Sequence, residues 1–273
     1  MMALTSCDEE TVLSGGPSDE DMQPVSDNMQ IEKGVMNAVS YANPYGLDED
    51  LSGKSVTNGP VMVWINPAEF IIEMDFTNVT NASGKIIVDY DSNPFAVGLD
   101  VINAVVTMED FVNDGSPVYN GVLNFSMSDG LTTPVFELNN TGLEALTMTN
   151  GSKVASWLGE KTMTWLEGRT SPLDRLDDAY SVSGNSTGVS VMGDNYSVIS
   201  TGLYLTPECE YIMDGTMVIV NNVGTDSQTT LTMDFGVDSN GNELTEPNCN
   251  SYFKLKYENG TLTLNMVMNM DTI

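Results

Sequence analysis

Between residues 69 and 76 the side chains of Phe70, Ile72, Met74 and Phe76 fall on one side of an extended chain, and Glu69, Glu73 and Asp75 on the other. Successive side chains of an extended backbone point to opposite faces, so a repeat of two marks a strand with one buried and one wet face. The same repeat returns along the chain. Leu123, Phe125 and Met127 alternate with Asn124, Ser126 and Ser128, and Leu231, Met233 and Phe235 with Thr230, Thr232 and Asp234. Near the end Phe253, Leu255 and Tyr257 alternate with Lys254 and Lys256, and Leu262, Leu264 and Met266 with Thr261, Thr263 and Asn265.

Between these runs stand pairs that tolerate the positive φ of tight hairpins: Asp114–Gly115, Asn120–Gly121, Asp129–Gly130, Asn150–Gly151, Asp214–Gly215 and Asn259–Gly260. Hairpins in series predict an all-β, antiparallel meander, either one curved sheet or two packed sheets. No helical pattern recurs between strands, which argues against a parallel α/β fold. A turn followed by an alternating run appears as NGVLNFSM from Asn120, DGTMVIV from Asp214 and NGTLTLNM from Asn259. Such recurrence divides the β region into 56–150 and 151–273, either as related halves or as hairpin grammar repeated, and the second reading is preferred.

Ahead of the strands the sequence predicts a single short helix from Ser26 to about Tyr41, with Ser26 or Asp27 as N-cap, Met29, Val35, Met36 and Val39 on one face, and Pro44 and Gly46 ending it. Residues 8 to about 24 are rich in Asp, Glu, Ser, Gly and Pro and read as an acidic tether, which with the helix fills 8–55. Leu4, Thr5, Ser6 and Cys7 form LTSC, which resembles the lipobox cut by the lipoprotein signal peptidase, a cut that leaves the cysteine as the lipidated first residue. Only six residues precede Cys7, so residues 1–7 correspond to a truncated signal whose basic and apolar parts are missing. The acidic Asp8, Glu9 and Glu10 resemble the signal that sends some lipoproteins to the outside of the outer membrane.

Charge and residue usage narrow the function classes. With 39 acidic residues against nine Lys and Arg, the net charge is −30, a field that repels phosphate backbones and argues against nucleic-acid partners. The chain has no histidine, which removes the usual general base of Ser and Cys hydrolases and the commonest metal ligand. No enzyme activity and no cofactor are therefore expected. No stretch reaches the roughly 20 apolar residues of a membrane-spanning helix, so attachment would be covalent or through a partner. Cys209 and Cys249 lack metal-ligand spacing, and a disulfide is the simplest use of the pair. The 18 methionines lie mostly at alternating apolar positions and read as core filler.

Two segments could carry chemistry. Asp174, Asp177 and Asp178 crowd beside Arg169 and Arg175, with Trp165 and Tyr180 flanking them. Paired carboxylates and aromatics could bind or cleave sugars or hold calcium; the preferred reading is a salt-bridged corner that fixes a turn. Asp238, Asn240 and Asn242 echo the first half of a calcium loop, but the glycine stands fourth rather than sixth and Cys249 occupies the place of the bidentate Glu. This predicts an acidic hairpin loop before a cation site.

Several blocks in order carry a family resemblance. Trp165, Glu167, Gly168 and Arg169 lead through Ser171 and Pro172 to Asp177, Asp178, Ala179 and Tyr180, then Val182, Ser183 and Gly184. Cys209, Tyr211, Ile212, Asp214 and Gly215 follow, then the run from Thr230 to Gly236, and Cys249; GKIIVDY from Gly84 to Tyr90 stands upstream. Over roughly residues 60 to 260 this is similar to a group of exported lipoproteins of Bacteroidetes-type bacteria, in which a W-x-x-G-R segment precedes a D-D-x-Y turn. The chain departs from that pattern after Phe76, where Thr77 to Ser83 replace a glycine and a cysteine-bearing loop. The resemblance implies an exported β protein and names no catalytic residue. The expectation is a lipid-anchored outer-membrane or surface protein with a structural, adhesive or binding role toward an envelope protein or glycan. A carbohydrate-binding or carbohydrate-cleaving accessory protein and a calcium-dependent adhesion module are the alternatives.

Overall fold

The computed structural model describes residues 16–42, 61–66, 68–94, 101–113, 115, 117–128, 133–168, 177–206, 208–209, 211–260 and 262–272. One helix, α1 (Asp19–Ala42), precedes fourteen strands: β1 (Val61–Asn66), β2 (Ile71–Asp75), β3 (Ser83–Tyr90), β4 (Val101–Val112), β5 (Val118–Ser128), β6 (Val135–Asn139), β7 (Leu146–Asn150), β8 (Lys153–Glu167), β9 (Ala179–Val189), β10 (Asn195–Leu205), β11 (Asp214–Asn221), β12 (Thr229–Phe235), β13 (Tyr252–Asn259) and β14 (Leu262–Asn269). All fourteen form one antiparallel sheet in which neighbours in sequence are neighbours in space, with a single variation. The short β6 and β7 share one place between β5 and β8, β6 against Asn124–Ser128 and β7 against Val118–Asn120. Of the two β architectures the sequence allows, the chain adopts the single sheet, and its ladder runs unbroken across residue 150.

Helix α1 explains how so wide a sheet keeps one core. Its side chains and carbonyls bond to Tyr90 on β3, Tyr119 on β5, Lys161 on β8, Ser186 on β9, Asn221 on β11, Thr229 on β12 and Tyr257 on β13. The sheet curls round the helix, as sheets of more than about ten strands commonly do. Inward side chains of every strand from β2 to β13 and of α1 meet in one cluster, from Ile72 and Met74 through Phe125, Phe136 and Trp157 to Met233 and Phe253.

Three local features correct the sequence reading. First, the helix begins at Asp19, not Ser26, and shortens the tether accordingly. Ser18 is the N-cap: its Oγ accepts from the Asp21 N–H at 3.2 Å while the Asp21 carboxylate accepts from the Ser18 N–H at 2.9 Å, a reciprocal capping box. Asp19, Glu20 and Asp21 then sit where the helix dipole favours negative charge. Second, the Asn-Gly and Asp-Gly pairs divide in use. Asn150–Gly151 and Asn259–Gly260 turn the β7–β8 and β13–β14 hairpins, but Gly121 and Gly215 lie inside strands. Gly121 (φ 147°) lies by the register shift between Met108 and Phe111, and Gly215 (φ 101°) by the one between Thr201 and Tyr204. Positive φ serves bulges as readily as turns. Third, Asp27 is buried in mid-helix and caps nothing. Cys7, Pro44 and Gly46 lie outside the described residues.

Candidate functional site

The acidic corner predicted around residues 165–180 is brought together in part. Strand β8 ends at Glu167, Gly168 turns the chain with φ 92°, and β9 starts at Ala179, paired with Glu167. A Cβ on Gly168 would meet Asp178 Oδ1 at 2.2 Å, so the glycine lets the backbone pass against that carboxylate. Asp178 Oδ1 accepts from Trp165 Nε1 at 2.9 Å, and Oδ2 accepts from the Tyr180 hydroxyl at 2.7 Å. The two rings stack at 6.2 Å and 26°, and Phe136 lies 6.3 Å from Trp165. Trp165 is 3% exposed and Asp178 5%. Asp177, next to them, faces solvent; Arg169, Asp174 and Arg175 lie outside the described residues.

The chemistry of this corner is that of a brace. A sugar platform needs an open ring face, and the Trp165 ring is enclosed by the sheet. Both Asp178 oxygens are committed to fixed donors, which holds the two aromatics and the β8–β9 crossover in one arrangement. Of the predicted residues the structure joins Trp165, Asp178 and Tyr180 into one unit.

The 238–242 loop is also self-satisfied. Asp238 Oδ1 accepts from the N–H groups of Asn240 and Asn242 at 2.8 and 2.9 Å, and Oδ2 from Asn242 Nδ2 at 3.0 Å. These donors, the Asn242 side chain foremost, hold the Asp238 carboxyl down at about 2. Oxygens pointing at N–H groups of their own loop hold the turn, and among the described residues no cluster of three acidic, Cys or His side chains is arranged for a metal. Cys209 and Cys249 are joined, with Cα atoms 5.5 Å apart, tying the segment before β11 to the one before β13.

The most elaborate polar arrangement is one that no local pattern announces. Along the helix–sheet interface Glu32 Oε1 meets Lys161 Nζ at 2.7 Å, and Lys161 Nζ donates to Ser200 Oγ at 3.0 Å. Ser186 Oγ donates to Asn28 Oδ1 at 3.1 Å, and the Val191 N–H donates to Asp27 Oδ2 at 2.7 Å. At the helix start Asp21 accepts from Thr229 at 3.1 Å and Tyr257 at 3.2 Å. Burial raises the Asp27 carboxyl, against the lowering effect of the Val191 N–H, Gln23 and the Lys153 charge. Burial likewise lifts Tyr119 to about 12 and Tyr90 well above its usual range. These groups lock α1 in place. No protein-family model, curated protein or solved structure matches the chain.

Proposed function

We propose that this chain is an exported lipoprotein, anchored to the outer membrane through a lipid on Cys7, that acts as a non-enzymatic structural, adhesive or binding unit of the cell envelope. The observation that carries the reading is the Cys209–Cys249 bond. Such bonds persist in oxidising compartments, which favours export. With these two thiols consumed, Cys7 is the odd cysteine, and it stands directly after Leu4, Thr5 and Ser6. A curled sheet locked onto its own helix suits a role in which the molecule presents a rigid outer face. The buried brace at Asp178 and the self-satisfied Asp238 loop support the non-enzymatic reading over sugar cleavage or calcium-dependent adhesion.

The test is metabolic labelling with a radioactive fatty acid in a bacterial host, with the chain expressed behind the upstream sequence of its own gene. Label in the wild type and none in Cys7→Ala is the expected result. Absence of label from both overturns the anchor.

A further inference from the structure

Five Asn-Gly pairs occur in the chain, and the fold exposes them unequally to one reaction. In such a pair the glycine nitrogen can attack the side-chain carbonyl carbon of the asparagine, because glycine carries no side chain to obstruct the approach. The attack asks two things of the structure. Neither the asparagine amide nor the glycine N–H is held by a hydrogen bond, and the backbone is free to leave its resting conformation.

Three pairs fail the first condition. Asn120 Oδ1 accepts from the Asp110 N–H at 2.8 Å while its Nδ2 donates to Asp110 Oδ1 at 3.0 Å, and Gly121 lies inside β5, where a Cβ would meet the Leu146 Cα at 2.9 Å. The Gly241 N–H, next to Asn240, donates to the Asp238 carbonyl at 2.9 Å. Asn259 Nδ2 donates to the Tyr257 hydroxyl at 3.1 Å, which draws the side chain back along β13. Asn58–Gly59 lies outside the described residues. Asn150–Gly151 meets both conditions. It forms the tip of the β7–β8 hairpin, where Asn150 pairs with Lys153 and Gly151 (φ 62°) opens a two-residue turn. Both residues are exposed, a Cβ on Gly151 would meet nothing within 4 Å, and among the described residues neither the Asn150 side chain nor the Gly151 N–H has a hydrogen-bond partner. Exposed strand tips open locally at little cost, so this turn reaches the conformation that the attack requires.

We infer that Asn150 is a site of self-modification, converted by the Gly151 nitrogen to a succinimide and then by water to aspartate and isoaspartate. The bond from Gly151 N to Asn150 Cγ forms, the Cγ–Nδ2 bond breaks, and the Gly151 proton leaves with the amide nitrogen as ammonia. Water then opens the ring at one of its two carbonyls. Opening at the side-chain carbonyl gives aspartate, and opening at the backbone carbonyl gives isoaspartate, in which the chain runs on through the former side chain. Either product replaces a neutral amide by a carboxylate. The new charge stands opposite Lys153 in the β7–β8 register, and opposite charges in that position attract, so the hairpin accepts aspartate. Isoaspartate inserts a methylene into the backbone and removes the Asn150–Lys153 pair. The inference is independent of the lipid anchor.

The experiment is incubation of the full 273-residue chain in a mildly alkaline buffer, with peptide mapping by mass spectrometry and labelling by an isoaspartyl methyltransferase. A synthetic peptide of residues 146–154, the Asn150→Gln variant and the wild type in urea are run beside it. In the folded wild type the expected result is a mass gain at Asn150 equal to the difference between water and ammonia, with methyl label at the same residue and none at Asn120. Asn150→Gln should take no label in that hairpin, and urea should bring Asn120 into reaction. An Asn150 that stays intact in the folded chain while the peptide converts fully overturns the inference. So does conversion of Asn120, Asn240 or Asn259 as fast as Asn150 in the folded chain. An Asn120 that stays intact in urea shows that the fold is not what selects the site, and overturns it as well.

Discussion

At the scale of single residues, Lys161 and Glu32 show how much a curled sheet depends on its polar seam. The Lys161 side chain is 3% exposed and that of Glu32 15%, and the Ser200 hydroxyl accepts a further hydrogen bond from the ammonium group. Breaking such a pair leaves a poorly solvated charge, at a cost of about 3 kcal/mol or more, while replacing both partners by apolar groups costs far less. Lys161→Met is therefore expected to lower the urea midpoint sharply, and adding Glu32→Leu to recover most of the loss. Asp27 gives a pH signature instead. Its folded carboxyl is raised by burial, so the folded state holds the proton more tightly than the unfolded chain. The corresponding stability is complete below 3.8 and disappears as pH rises through the raised value. Asp27→Asn lacks this dependence and can keep the Val191 bond through its oxygen and meet Gln23 through its amide. Unfolding measured against pH is thus expected to favour the wild type over Asp27→Asn progressively more as pH falls toward 3.8. A constant difference would refute the assignment.

Elements differ in how much of themselves they show in sequence. Strands β2, β12 and β13 alternate plainly because their inward positions are apolar apart from Thr229 at the start of β12 and Asn259 at the end of β13. On β9 the inward positions include Gly184, Ser186 and Gly188; Ser186 bonds to Asn28 of the helix, and the glycines lie against the backbone of β8 and the Tyr196 ring, so the apolar repeat fades. Helix α1 conceals its start for a related reason. Asp27 and Asn28 are buried with the apolar residues, and Pro24 interrupts the turn that Ser18 opens. A helix enclosed by a sheet has no need of a single apolar stripe. The corner at residues 165–180 was legible as a cluster, since its members are close in the chain, but whether Asp178 is open or committed depends on burial that spacing does not encode. Two predictions belong to this scale. Ala is normally preferred to Gly within a helix by about 1 kcal/mol, yet a Cβ at Gly34 would lie 2.6 Å from the Tyr119 ring, whose hydroxyl holds the Gln30 carbonyl. Gly34→Ala should therefore destabilise by about 1–3 kcal/mol in chemical unfolding, the range of overpacked cores. Cys209 and Cys249 are 40 residues apart, and loop-closure entropy assigns their bond about 3–4 kcal/mol. The Cys209→Ala/Cys249→Ala double variant should lose that amount in an oxidising buffer and none in a reducing one, where the wild type should fall to meet it.

For the whole molecule, charge sets the conditions of stability. Folding gathers a net −30 onto one compact body, whereas the unfolded chain spreads the same charge over a larger volume, so self-repulsion opposes the native state. The exposed pairs Lys85–Glu73 and Lys256–Glu258 offset little of it, because solvent-exposed ion pairs contribute about 0–1 kcal/mol each. Protonating surface carboxylates relieves the repulsion, so the thermal midpoint should rise as pH falls from 7 toward about 5. Individual groups reverse the trend further down. Asp75, held low by Thr77, and Asp238, held low at about 2 by Asn242 and Asn240, bind protons less readily folded than unfolded. Their contribution is present above 3.8 and is lost as pH falls through their depressed values, so the midpoint should decline again below 3.8. Salt separates the two limbs. At 1 M the screening length falls to about 3 Å, which removes repulsion between distant carboxylates but leaves the short hydrogen bonds to Asp75 and Asp238 in place. Melting curves in high salt should consequently lose the rise between pH 7 and 5 and keep the acid decline. If the rise persists undiminished in salt, it originates in buried groups such as Asp27 and not in the net charge of the molecule.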